Sequence, residues 1–133
     1  MRLFQPTGDP LKDIPALSDW RGDGLTFVEL LRFLPYLKGS DDLLCDENES
    51  LLLWAGVSKA CIKALGQLVA DGNMEFKVTN PLTYVLDGHR SRQPVAYKKR
   101  RYKEQRWMPV TIVRSEASKA KRADDDRRVF ASR

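Results

Sequence analysis

Apolar positions along this chain keep helical spacing over two segments and then shorten to strand spacing, and each segment marks a structural element. Phe27, Leu30, Leu31 and Leu34 recur at helical spacing, and Thr26 followed three residues later by Glu29 has the spacing of a capping box. A helix is therefore predicted over 26–34, ended or kinked by Pro35 and closed off by Gly39. After Ser58, a good N-cap, the residues Cys61, Ile62, Leu65, Leu68 and Val69 make one apolar face of a second strong helix, which Gly72 stops. The period then shortens. Met74 to Val78 and Leu82 to Leu86 are rich in strand formers and are split by Thr79-Asn80-Pro81, which predicts a β-hairpin ended by Asp87-Gly88.

Three other segments carry weaker patterns. Pro6, Pro10 and Pro15 lie close together in residues 1–23, which predicts an extended arm without a long helix. Its Leu3, Phe4, Leu11, Ile14, Leu17 and Trp20 are too apolar for a free tail and are expected to pack on the domain or on a partner chain. The acidic stretch around Asp41, Asp42, Asp46, Glu47 and Glu49 suits a helix start through the helix dipole, so a short helix over 47–55 is expected, with Gly56 as the turn into the next helix. A calcium reading of these acids lacks the Gly-centred loop pattern. Residues 89–114 have β character around Val95, Tyr97, Trp107 and Val110 to Val113, on both sides of a basic middle. Residues 115–133 hold little to bury and read as a charged, disordered tail or a frayed helix.

Charge sharpens the picture. Residues 1–57 hold 5 Lys/Arg against 10 Asp/Glu, whereas residues 58–133 hold 18 against 8. The basic half begins at the second strong helix, where Lys59, Lys63 and Gln67 fall at i, i+4 and i+8 with Ala60 beside them. It continues through Lys77 and Asn80, the loop residues Arg90 and Arg92, and the run Lys98, Lys99, Arg100 and Arg101. The whole middle from Lys98 to Arg106, with Tyr102 among its cations, interleaves basic and aromatic residues, a mixture that suits a phosphate track with stacking against sugars or bases. The bland alternative is a solvated surface.

Candidate chemistry is sparse. His89 is the one histidine, set in a polar loop and expected to face solvent or phosphate. Cys45 and Cys61 have no partner at metal-ligand spacing. No nucleophile elbow, phosphate-binding glycine loop or paired-histidine motif occurs, so neither catalysis, nor a cofactor, nor a metal is expected. No run approaches the roughly 18 apolar residues that cross a bilayer, and Met1 to Pro10 lacks an apolar signal core, so a soluble, cytoplasmic protein is expected.

The run Ala55-Gly56-Val57-Ser58-Lys59-Ala60-Cys61-Ile62-Lys63 resembles the turn and second helix of bacterial helix-turn-helix regulators. Its continuation through Leu68, Gly72, Phe76 and Tyr84 to Leu86 is similar to the helix-then-wing order of winged-helix repressors and of phage or plasmid replication proteins. The resemblance covers about residues 25–86. It implies an α+β fold with a winged helix-turn-helix core of three helices and a hairpin wing over 24–88, an extended arm before it, and a basic β extension and tail after it. It further implies that Lys59, Ala60, Lys63 and Gln67 face a DNA major groove, with Lys77 and Asn80 reaching phosphates or the minor groove from the wing. The expected function is sequence-specific binding of double-stranded DNA, as a transcriptional regulator associated with the nucleoid. A homodimer or protein partner would be engaged through the N-terminal arm. The alternatives are a replication or partition protein, RNA binding, or a winged-helix assembly module that makes contacts through the arm and the 107–113 strand.

Overall fold

The computed structural model describes residues 3–22, 24–45, 48–89 and 93–116. Among these described residues it is a mixed α+β structure of four α-helices and two small sheets, and 117–133 of the expected tail lie outside them.

Helix α1 spans Pro10–Arg21, where an extended arm was expected. The Asp9 carboxylate accepts from the Leu11 amide at 3.1 Å, Pro10 occupies the first turn, and Gly22 closes the helix at φ 89°. Asp-Pro is a helix start as well as a chain stiffener, because the first-turn amide that proline lacks has no intrahelical partner anyway. Ile14 and Leu17 are fully buried, and Asp13 is buried as a hub. Its carboxylate accepts from the Thr7 amide and hydroxyl (both 2.8 Å), the Gly8 amide (2.9 Å) and the Tyr36 hydroxyl (2.6 Å). Burial pushes this carboxyl up, but the donated hydrogen bonds outweigh it and hold the group below its ordinary range.

Helix α2 (Phe27–Phe33) forms as the pattern predicts, with the Thr26–Glu29 capping box present in both directions. A 3-10 turn over Pro35–Leu37 leads into strand β1 (Lys38–Cys45), which pairs antiparallel with β2 (Asn48–Val57). The helix expected over 47–55 is thus a strand. Leu51, Leu52 and Leu53 are all buried although alternate strand residues face opposite sides, so both faces of β2 are covered at this point. Leucine and alanine carry good helix propensity, but pairing and two-sided burial override it here. Asp41 and Asp42 therefore sit on β1 and Glu49 on β2, and not at a helix start, while Asp46 and Glu47 lie outside the described residues.

Helix α3 (Lys59–Ala70) follows directly, with the Ser58 hydroxyl accepting from the Cys61 amide at 3.0 Å. Strand β3 (Met74–Val78) comes next, but its expected hairpin partner is instead helix α4 (Pro81–Leu86). Asn80 caps α4 by accepting from the Leu82 amide at 2.9 Å, and Pro81 opens it. Asn-Pro is again a helix start outweighing the strand-forming residues behind it. Strand β3 pairs with β5 (Val110–Arg114) across the intervening chain, from Met74 opposite Arg114 to Val78 opposite Val110. Leu25 and Ile112 exchange backbone hydrogen bonds at 2.9 and 2.8 Å, so Leu25 lies on the other edge of β5. Strand β4 (Arg106–Trp107) joins β2 in parallel, making the order β1-β2-β4.

One core unites these elements. Helix α1 packs on α3 and β5, and α3 packs on β1 and β3. Trp54 stacks between Phe27 and Tyr84, with ring centroids 5.7 and 5.3 Å away. Among the described residues no helix is long and apolar enough to cross a membrane.

Candidate nucleic-acid interface

Helix α3 divides cleanly by face. Cys61, Ala64, Leu65 and Leu68 are buried, and Ile62 and Val69 are half-buried at the margin. Lys59, Ala60, Lys63, Gly66 and Gln67 are exposed, and no carboxylate lies anywhere between Lys59 and Ala70. The start of the helix is fixed from outside. The Ser58 amide donates to the Leu37 carbonyl at 2.9 Å, and Gly39 lies so close that a Cβ there would meet the Val57 carbonyl oxygen at 2.5 Å. The exposed stripe is therefore presented by a rigid body. Burial pushes the Cys61 thiol up to about 12, which keeps it protonated and unreactive.

The remaining sequence candidates do not form one surface with this stripe in the way a hairpin wing would. Lys77 is exposed on β3, but Glu75, also exposed, precedes it by two. Asn80 is exposed, yet its side-chain oxygen is engaged in capping α4. Arg90 and Arg92 lie outside the described residues. Lys98, Lys99, Arg100 and Arg101 are all exposed on a loop that returns to β2 before β4 begins.

A groove of about 580 Å³ brings that loop to α3: Lys99 lines it together with Ile62, Gly66 and Val69 of the helix and Phe76 of β3. The groove runs along the margin of α3 beside the exposed stripe, with Glu75 also in its wall, and Lys59, Ala60, Lys63 and Gln67 do not line it. Two further cations, Lys103 of the loop and Arg106 at the start of β4, line a separate depression together with Arg100, Arg101, Glu104 and the ring of Tyr102. The signal for them in the sequence is the interleaved run Lys98 to Arg106, which extends beyond the four consecutive cations at its start.

His89 is not a solvent-facing loop residue. It is half-buried against Trp54, with centroids 4.5 Å apart, and against Trp107 at 5.5 Å, while its amide donates to the Tyr84 carbonyl at 2.9 Å. Desolvation lowers its pKa below the ordinary 6.5. Cys45 and Cys61 are free thiols, and among the described residues no three His, Cys, Asp or Glu side chains cluster closely enough to hold a metal ion. The strand expected to offer contacts to a partner is occupied: Trp107, Met108, Val110 and Ile112 are buried in the chain's own core.

Compared with known proteins, the chain matches no family model, no curated protein and no solved structure.

Proposed function

We propose that this chain binds double-stranded DNA, with α3 entering the major groove, and that it serves as a transcriptional regulator. The observation that carries this reading is the face of α3 bearing Lys59, Ala60, Lys63 and Gln67. It is exposed, free of carboxylates, and set on a helix whose opposite side is locked into the core. Lysine reaches guanine acceptors or phosphate, glutamine pairs bidentately with adenine, and alanine meets a thymine methyl. The basic loop beyond the groove adds sequence-independent attraction to phosphates.

The order of elements supports a winged-helix-like arrangement, assembled differently from the sequence pattern. Helices α1, α2 and α3 are followed by β3 and β5, with Leu25 bridging the far edge of β5. In this reading the β1–β2 hairpin is an insertion between the second and third helices, which removes the tight helix-turn-helix turn. The β3–β5 pair forms the wing, with α4 and the basic loop inserted in it. Acting on DNA, the protein would belong to the nucleoid and would need no catalytic group or cofactor. A replication or partition role would use the same interface.

The test is binding-site selection from a random duplex pool, with single-stranded DNA and RNA as competitors. Lys63→Ala and Gln67→Ala are expected to relax preference at particular base positions, each lost contact costing about 1–3 kcal/mol. Unchanged preference in both variants removes α3 from the reading role.

One observation favours a second reading, an assembly module. Leu82, Val85 and Leu86 of α4 are exposed, as are Val78 and Tyr97 nearby. An apolar face of this kind marks contact sites. If the parent shows no base preference and Leu86→Glu changes its oligomeric state, that reading takes precedence.

A further inference from the structure

The loop between Tyr97 and β4 contains a depression of about 470 Å³ lined by Arg100, Arg101, Tyr102, Lys103, Glu104 and Arg106. Four cations and one carboxylate face one small volume. Among the described residues no ion pair joins Arg100, Lys103 or Arg106 to a carboxylate, Glu104 included. Arg100, Lys103 and Arg106 share this volume with the single carboxylate of Glu104, so repulsion among the cations is only partly offset and other contacts must hold them together.

What keeps them together is a scaffold of uncharged contacts. The Arg100 and Arg106 guanidinium carbons lie 4.9 and 4.8 Å from the centroid of the Tyr102 ring, within cation–π range. The ring itself is fixed at both ends. The Tyr102 amide donates to the Ser50 hydroxyl at 3.0 Å, and the Tyr102 hydroxyl donates to the Lys98 carbonyl at 2.7 Å. Buried Asn48 donates its side-chain amide to the Arg100 carbonyl at 2.8 Å, while its side-chain oxygen accepts from the Ser50 hydroxyl at 2.5 Å and the Ser50 amide at 3.1 Å. Arg106 is the first residue of β4 and is held in register opposite Leu51. The loop is thereby stitched to the start of β2 along its length.

We infer that this loop is a preorganised seat for a backbone phosphate of nucleic acid, with Arg100 and Arg106 as the binding residues and Tyr102 and Asn48 as positioning residues. The inference rests on the nucleic-acid reading above and deepens it. A guanidinium packed on a ring retains N–H donors in its own plane for bidentate contact with phosphate oxygens. Because two guanidiniums already occupy the Tyr102 ring, the ring is a platform for cations and not for a base. The seat is therefore blind to sequence, and a phosphate placed there would offset the repulsion among these cations.

Two probes separate the seat from the wider reading: a 20-base-pair duplex of mixed sequence, and inorganic tripolyphosphate measured by calorimetry. The Arg100→Gln/Arg106→Gln double variant should lose about tenfold in duplex affinity at physiological salt and reduce the slope of log K against log salt by about 1–2. Tyr102→Leu, which removes no charge, should lose about threefold to fivefold, whereas Tyr102→Phe retains the ring and should stay within twofold of the parent. Lys12→Gln, a charge loss on α1, is the control. If the double variant weakens duplex binding no more than twice the Lys12→Gln effect, the loop is diffuse charge and the seat is wrong. That conclusion does not depend on whether Tyr102→Leu folds. Tripolyphosphate binding with the same ranking of variants, in a parent that binds no duplex, keeps the phosphate seat and overturns the DNA reading. Binding of neither probe overturns both.

Discussion

The Tyr84 hydroxyl donates to the Val110 carbonyl at 2.6 Å and accepts from the Phe27 amide at 3.1 Å, so one buried oxygen ties α4 to β5 and to the start of α2. Burial raises the Tyr84 pKa above its ordinary value, which keeps the hydroxyl a donor at all ordinary pH. Tyr84→Phe removes that oxygen and leaves a buried carbonyl and a buried helix-start amide unsatisfied. The expected loss is about 1–3 kcal/mol in urea unfolding. A loss under about 0.5 kcal/mol would mean that water replaces the hydroxyl and that α4 is not held from inside.

The faces of α3 can be tested by stability alone. Leu65 is fully buried, so Leu65→Ala should cost about 2–5 kcal/mol. Lys63 is exposed, and Lys63→Ala should stay within about 0.5 kcal/mol. Thermal melts of the two variants suffice, and a large shift from the lysine would reverse the helix faces and with them the proposed reading surface.

Gly39 and Ser58 set where α3 begins. A Cβ at position 39 would lie 2.6 Å from the Ser58 nitrogen and Cα, both backbone atoms that have no rotamer to escape into. Gly39→Ala is expected to cost about 1–3 kcal/mol by overpacking. It should also weaken DNA binding through displacement of α3, although it adds no charge and removes no contact. Unfolding curves indistinguishable from those of the parent would show that β1 can move away freely.

His89 makes stability depend on pH in a defined direction. Its folded pKa is depressed by desolvation against Trp54, Tyr84 and Trp107, so the unfolded chain takes up the proton first. The stabilising contribution is complete above the ordinary value of 6.5 and is withdrawn as pH falls through it towards the folded pKa. Asp13, whose pKa is also lowered, acts only below about 3.8 and does not overlap this window. Urea midpoints between pH 8 and 5 should fall for the parent and stay flatter for His89→Asn. Parallel curves would place the imidazole in water.

Local signals in the sequence determined α2 and α3. The Thr26–Glu29 box, the Ser58 cap and the apolar spacing each act within one or two turns, and all agree with one another. They also determined which face of α3 carries Lys59, Lys63 and Gln67, because burying Leu65 and Leu68 leaves those positions outward. Asp9-Pro10 and Asn80-Pro81 were legible helix starts as well, masked by the reading of proline as a breaker and of Leu82 to Leu86 as strand formers. Tertiary structure alone decided the rest. Residues 51–53 become a strand because β1 and β4 supply hydrogen bonds and both faces find cover, and neither partner is visible within the segment's own sequence. Strand β3 finds β5 more than thirty residues away because Pro81 starts a helix where a return strand would have to run, and β5 offers a complete register from Met74 to Val78. The basic loop meets α3 across a groove only because Asn48 and Ser50 hold it against β2. Such long-range pairings depend on which surfaces remain to be buried once the local elements have formed, and periodicity along a chain does not encode that.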